Sequence, residues 1–296
     1  MSRHLSLVVN PEARGGPGAA LEQARALARA HGWSVDEQVA EIRGHAYLLT
    51  QEAVAAGVDL VVAVGGDGTV REVAAGLAGT PVPLAIAAAG SGNSSYLELF
   101  GETPWEETLG GVLDHREERA VDLIELERTG EVGLLGFSGG WFAQIVRLAA
   151  GVTSTGAARY AEAAGIAAVT PASFPATVRA DGQTVFNGDI GLVAIGGARV
   201  RAAVFPVFPV ARMDDGLLDL LVVEATDTAG FNELLGAVLE GTHLEHPLAH
   251  HAQARRVDLV APSGFEAELD GDLSEHDFYE VSAVCAPGRL RVAIPA

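Results

Sequence analysis

Val61-Val62-Ala63-Val64-Gly65-Gly66-Asp67-Gly68-Thr69 is the stretch that decides how this chain is read. The apolar run 58–64, broken only by Asp59, predicts a strand covered on both faces, as in a parallel sheet. Three glycines within four positions follow, which frees the backbone for a tight turn and clears Cβ atoms from any approaching group. Residues from about 70 to 77 then predict a helix. Backbone N–H groups on such a turn, next to a helix N-terminus, form a site for phosphate oxygens. Thr69 can add a hydroxyl donor. Asp67 repels phosphate unless a divalent cation lies between them or the carboxylate handles a proton. That oddity separates this turn from a common glycine turn with an Asp cap.

The same rhythm runs outward from it. Residues 5–9, 33–39 and 83–88 read as further strands, and 18–30, 45–56 and 94–100 as helices. Strand and helix in alternation predict a doubly wound, mostly parallel α/β sheet. Two more loops follow strands at the same end of that sheet. One is Asn10-Pro11-Glu12-Ala13-Arg14-Gly15-Gly16, where Asn10 can cap or touch a nucleotide and Arg14 can meet phosphate. The other is Ala89-Gly90-Ser91-Gly92-Asn93. Ligands of open α/β sheets bind at that end.

From about Arg119 the pattern turns to strands: 120–127, 177–180, 184–186, 190–195, 217–223, 256–260, 265–269, 278–283 and 289–294. Asp181-Gly182 and Asp270-Gly271 are hairpin-turn dipeptides. Two helices, about 141–150 and 228–239, interrupt them. The expected organisation is a nucleotide-binding α/β domain over 1–117 and a strand-rich, β-sandwich-like domain over 118–287. The last strand, about 288–296, is free to pack back on the first domain.

Composition narrows the classes of function. A chain of 296 residues, 49% hydrophobic, can bury two cores. The formal net charge of −20 opposes nucleic acid and adhesion to anionic membranes. All 19 Lys-plus-Arg residues are arginine, so the lysine of a Walker A loop is excluded. Cys285 is the single cysteine, so no intrachain disulfide forms, and its apolar neighbourhood reads as packing. No stretch reaches the roughly 18 apolar residues of a spanning helix. These features predict a cytoplasmic protein without a transmembrane segment. Whether it works alone or as a homodimer stays open.

Taken together, the strand ending in Asn10-Pro11, Gly65-Gly66-Asp67-Gly68-Thr69, Gly90-Ser91-Gly92-Asn93, Arg212-Met213-Asp214-Asp215-Gly216-Leu217-Leu218-Asp219 and Glu268-Leu269-Asp270-Gly271-Asp272 resemble the diacylglycerol kinase catalytic-domain family. That family includes soluble bacterial lipid kinases and sphingosine kinases, and is distantly similar to NAD kinases. The resemblance spans residues 4–294, and the Asp215 segment favours lipid kinases over NAD kinases. It implies an ATP- and Mg²⁺-dependent kinase acting on a lipid alcohol at a membrane surface. Gly65, Gly66, Asp67, Gly68, Thr69, Val70 and Arg71 would hold ATP phosphates, with Asp67 in the catalytic centre and Ser91, Gly92 and Asn93 nearby. Asp215 would bind Mg²⁺ with the carbonyls of Arg212 and Leu217. Asp270 or Asp272 would be the general base.

The chain also departs from the family's pattern. Ser94-Ser95-Tyr96 follow the second glycine loop in place of Asp and Phe, and Arg71 stands where Asn is usual. Ala40-Glu41-Ile42-Arg43 replace a Thr-containing approach to Gly44-His45-Ala46. Ile195-Gly196-Gly197-Ala198-Arg199 lacks the usual Asn, and Gly136-Phe137 is followed by Ser138 where Asp is usual. These changes keep a non-catalytic nucleotide-binding homologue open as an alternative, with NAD kinase a third. Arg71, Arg199 and Arg201 could offer replacement phosphate or headgroup contacts, but they read first as exposed surface residues. His243, His246, His250 and His251, with Pro247 among them, read as a solvated loop rather than a metal site. The apolar stretch 203–210 reads either as an acyl-chain cleft or as a segment buried between domains.

Overall fold

Every residue of Leu60–Gly65 is buried, as a strand covered on both faces requires. The computed structural model describes residues 3–11, 13, 16–201 and 205–296. The chain divides into two units, Met1–Val121 with Gly288–Ala296, and Asp122–Pro287.

The first unit runs β1 (His4–Val9), α1 (Pro17–Ala30), β2 (Ser34–Val39), α2 (His45–Ala55), β3 (Leu60–Gly65), α3 (Asp67–Leu77), β4 (Leu84–Ala88), α4 (Ser94–Phe100) and α5 (Trp105–Asp114). The strand order is β2-β1-β3-β4, parallel throughout, and Val292 of the C-terminal strand pairs parallel to Leu84. One sheet face meets α1 and α5, where Leu5, Leu7, Val62 and Ala87 pack with Ala20, Ala24, Ala28 and Leu109. The four-residue spacing of those alanines lets α1 lie close to the strands. On α2 and α3 the approach is closer still: a Cβ on Gly76 would sit 2.8 Å from Thr50 Cβ.

β1 lies between β2 and β3, so the loops after β1 and β3 leave the sheet on either side of a topological switch point, where such sheets bind ligands. The glycine turn after β3 lies there, beside the loop after β4. Gly66 and Gly90 meet backbone to backbone: a Cβ on Gly66 would lie 3.0 Å from Gly90 Cα, and one on Gly90 would collide with Gly66 Cα. Helix α3 begins at Asp67, three residues before the sequence suggests, because Gly66 is extended at φ −96° and the chain turns helical immediately after it. An acid in that first turn suits the helix dipole.

The second unit continues β5 (Arg116–Leu126) and then runs β6 (Glu131–Gly133), β7 (Gly136–Gly140), α6 (Trp141–Ala149), α7 (Ala157–Ala167), β8 (Phe174–Ala180), β9 (Gln183–Gly196), β10 (Leu218–Glu224) and α8 (Thr228–Glu240). A single 3-10 turn (His243–Glu245) leads to β11 (Ala249–Ala254), β12 (Arg256–Phe265), β13 (Ala267–Leu269), β14 (Asp272–Leu273) and β15 (Phe278–Pro295). The strands pair antiparallel in the order β14-β13-β7-β9-β8-β12-β15, with β10 between β9 and β11. One core holds Phe174 stacked on Phe265 at 4.7 Å and Phe137 edge-on to Phe278 at 5.5 Å. A second core gathers α6, α7 and α8 around Leu221 and Val223. Among the described residues no helix is long and apolar enough to cross a membrane.

The expected pairing of an α/β parallel-sheet domain with a strand-rich domain is what the chain forms. Several details differ. β9 is one strand of 14 residues where the sequence suggests two, since Gly188 and Asp189 continue the ladder against β8. The histidines are not a solvated loop. Pro247 ends the 3-10 turn, but the chain re-enters the sheet as β11, where His250 meets Glu224 at 2.9 Å and His251 meets Asp219 at 3.0 Å. His243 is fully buried, with Nε2 2.8 Å from the Val207 carbonyl. Of the apolar stretch 203–210, residues 203 and 204 lie outside those described, while Phe205, Val207 and Phe208 fill the helix-side core of the second unit.

Two expectations follow. Gly90→Ala forces two main chains apart, and an overpacked core costs about 1–3 kcal/mol; urea unfolding of the variant against wild type measures it. Burial, the largest influence on His243, holds its imidazole below the usual value, while the bond to Val207 opposes this. As pH falls, the unfolded chain therefore takes up this proton first. The stability it carries is whole above about pH 6.5 and is lost below it. Unfolding midpoints measured from about pH 7.5 down to about 5.5 decline less steeply in His243→Gln than in wild type.

Candidate active site

Asp67 is half-buried, and its carboxylate faces the start of α4. Oδ2 accepts the Ser94 N–H at 3.1 Å and Oδ1 the Ser95 N–H at 2.7 Å. The first N–H groups of a helix have no partner within it, so the carboxylate caps α4 while lying in the first turn of α3. The Ala89 N–H donates to the Gly65 carbonyl at 2.8 Å. With the Gly66–Gly90 contact, three independent links bind the two glycine loops. Asn93 is left-handed at φ 51°, and its Oδ1 accepts the Gly90 N–H at 2.8 Å.

The other residues proposed for the nucleotide surround this junction or lie apart from it. Thr69 is buried, with its hydroxyl packed over Gly65, where any Cβ would collide with it. Val70 is buried and its N–H donates to the Gly66 carbonyl at 3.0 Å. Gly68, Arg71, Gly92 and Asn93 are half-buried, and Ser91 is exposed. The Asn10 N–H donates to the Val64 carbonyl at 3.3 Å, which ties the loop after β1 to the end of β3. Arg14 lies outside the described residues.

In the second unit, Asp270 and Gly271 form the β13–β14 turn, both left-handed at φ 54° and 88°. Asp270 is 4% exposed. Its carboxylate accepts three successive N–H groups: Leu134 at 2.6 Å, Leu135 at 2.8 Å and Gly136 at 2.8 Å. The Asp270 N–H donates to the Gly136 carbonyl at 3.0 Å. Asp272 is half-buried at the start of β14. Arg201 is not a surface residue: it is 7% exposed and ion-paired with Glu268 at 2.5 Å. Ser138, where the family pattern has Asp, donates to that same Glu268 from the opposite strand position.

Asp215 lies on an exposed loop whose Gly216 is left-handed at φ 76°. Its Oδ1 accepts the Leu217 N–H at 3.0 Å, and Arg212 Nε donates to Asp214 at 3.1 Å. Asp122, which the motif reading passed over, holds this loop: Oδ2 accepts the Gly216 N–H at 2.7 Å, and its own N–H donates to the Met213 carbonyl at 2.7 Å. The available signal was a lone acid within Val121-Asp122-Leu123-Ile124. Among the described residues no three His, Cys, Asp or Glu side chains cluster as a metal site. The donors Asp215 offers with the Arg212 and Leu217 carbonyls are all oxygen, which fits a hard cation that keeps several waters. Cys285 is a free, half-buried thiol. Burial first, then Asp122 and Asp215, push its thiol up to about 12.

Comparison with known proteins follows the same division. Residues 4–126 match the family described as the diacylglycerol kinase catalytic domain, and residues 138–294 the YegS C-terminal NAD kinase beta sandwich-like domain. The chain is 30% identical to a protein of Pseudomonas aeruginosa named "Probable lipid kinase YegS-like", over 97% of this chain and 91% of that one. It is 29% identical to a protein of Mycobacterium tuberculosis named "Diacylglycerol kinase", over 95% and 92%. A crystal structure of a diacylglycerol kinase from Bacillus anthracis shares the fold at a TM-score of 0.73 and 22% identity, over 99% of this chain and 97% of that one. With both domains matched and 30% identity to a YegS-like lipid kinase over nearly the whole chain, this chain belongs to the diacylglycerol kinase catalytic-domain family of YegS-like lipid kinases and diacylglycerol kinases.

Proposed function

We propose that this chain transfers the γ-phosphoryl group of ATP to a hydroxyl of a diacylglycerol-like or sphingoid lipid, met transiently at a membrane surface. The observation that carries the reading is the junction of the two glycine loops, bound together through the Asp67 carboxylate. Phosphoryl transfer needs positioned donors and charge neutralisation more than covalent chemistry from the protein. With no lysine in the chain, main-chain N–H groups at the start of α3, ahead of the Val70 N–H that donates to Gly66, serve as the phosphate donors within the loop 65–71, with Asn10, Arg14, Ser91, Gly92 and Asn93 completing the nucleotide site. Asp215 and the carbonyls of Arg212 and Leu217 would hold Mg²⁺, which when bound neutralises charge on the phosphate oxygens. Asp67 belongs to the catalytic centre. Asp270 or Asp272 takes the proton of the lipid hydroxyl as its oxygen attacks the γ-phosphorus and ADP departs.

A second reading rests on a specific observation. Asp270 spends its carboxylate on three main-chain donors and Asp67 spends its own on two, so each already has a structural use. A nucleotide-binding homologue without turnover would retain both uses. NAD kinase chemistry is a third reading, and an NAD phosphorylation assay decides it.

Labelled ATP with Mg²⁺ and a panel of lipid alcohols in vesicles tests the first reading. Labelled lipid is expected, and EDTA should abolish it. ATP binding by calorimetry with no labelled lipid would favour the second reading instead. Replacing the base with Asn should lower kcat by roughly 10²–10⁴-fold, so Asp270→Asn and Asp272→Asn compared side by side identify it. Asp67→Ala should remove turnover; unchanged turnover would exclude Asp67 from the catalytic centre.

A further inference from the structure

Behind the Asp270–Asp272 turn stands a buried ion pair that the reaction as described does not use. Arg201 is 7% and Glu268 3% exposed. Arg201 Nη2 donates to Glu268 Oε1 at 2.5 Å and to the Gly136 carbonyl at 2.8 Å. The Ser138 hydroxyl donates to the same Glu268 oxygen. The other oxygen, Oε2, accepts the Gly271 N–H at 2.6 Å. One carboxylate thus joins Arg201, strand β7 and the turn itself.

Desolvating two charges costs free energy that their attraction barely repays, so a buried pair is a weak source of stability. What this pair does control is local geometry. Gly136 sits at φ 147°, and a Cβ there would come within 2.8 Å of Arg201 Nη1, so the guanidinium is fitted against bare backbone. Gly136 is also the residue that grips Asp270 at both ends: its carbonyl accepts the Asp270 N–H and its N–H donates to the Asp270 carboxylate. Arg201 therefore holds Gly136 in place while Glu268 holds Gly271, and Asp270 is fixed between the two.

We propose that Arg201 and Glu268 are positioning residues that hold the Asp270–Asp272 turn in register with the loop 134–136 for the acceptor hydroxyl. The catalytic part of this rests on the lipid kinase reading, but the clamp is measurable without turnover. Glu268→Gln removes the charge and puts an N–H donor where an acceptor is needed. The pair Arg201→Met with Glu268→Leu replaces both charges by apolar groups of similar size, a change that buried ion pairs often survive with the fold intact.

Hydrogen exchange read by mass spectrometry should quicken in peptides covering 134–136 and 268–273 in both proteins, with peptides from 60–77 unchanged. ATP affinity by calorimetry should hold. On a lipid that wild type phosphorylates, kcat should fall roughly a hundredfold with KM for ATP unmoved, the cost of a misplaced group. Arg201→Lys, which keeps the charge, should recover part of it. A folded double variant with wild-type exchange at the turn overturns the proposal, and so does lost turnover without faster exchange there. If wild type labels no lipid, the lipid kinase reading fails, and the exchange data still decide whether the clamp exists.

Discussion

The constraint on which both units depend is the need of a carboxylate for main-chain N–H donors. In the first unit Asp67 takes two, from Ser94 and Ser95; in the second Asp270 takes three, from residues 134–136. Each set of donors belongs to a segment distant in sequence, so each carboxylate acts as a staple as well as a charge. Groups of N–H aimed at one point bind anions whatever their source. The Gly66–Gly90 contact and the left-handed Asn93 hold the loops after β3 and β4 against each other.

The glycine turn was legible because its signal is local. An apolar run, three glycines and a helical segment each speak for themselves, and their order fixes the strand–turn–helix unit. Even the early start of α3 follows from one residue, Gly66. The strand β7 was not legible, since Gly136-Phe137-Ser138-Gly139-Gly140 has no β-branched residue and owes its pairing to β9 and β13. The same holds for what Asp270 does. Asp270-Gly271 announces a turn, but nothing near it in sequence announces that its carboxylate is used 134 residues away.

Charged and aromatic side chains follow the same rule. Arg201 reads as a surface cation because its partner Glu268 is 67 residues distant. His243 reads as solvated because the Val207 carbonyl that receives it is 36 residues back. Both are buried polar groups whose cost is met by a specific partner, and composition carries no trace of that pairing. Asp122 is the converse case: an acid inside an apolar strand was visible, and its task, gripping the Gly216 N–H, needed the structure.

The C-terminal strand has a consequence for the order in which the chain is made. The first unit comprises Met1–Val121 and Gly288–Ala296, so its sheet is assembled from both ends of the sequence. Strand β4 waits for Val292 to pair beside Leu84. Throughout synthesis of the intervening unit, that flank of a largely apolar sheet is an unsealed edge, open to any other extended segment. Until residues 288–296 are in place the first unit lacks the strand that seals the free side of β4, so that seam is where an early stretch of the chain is most exposed to wrong pairing.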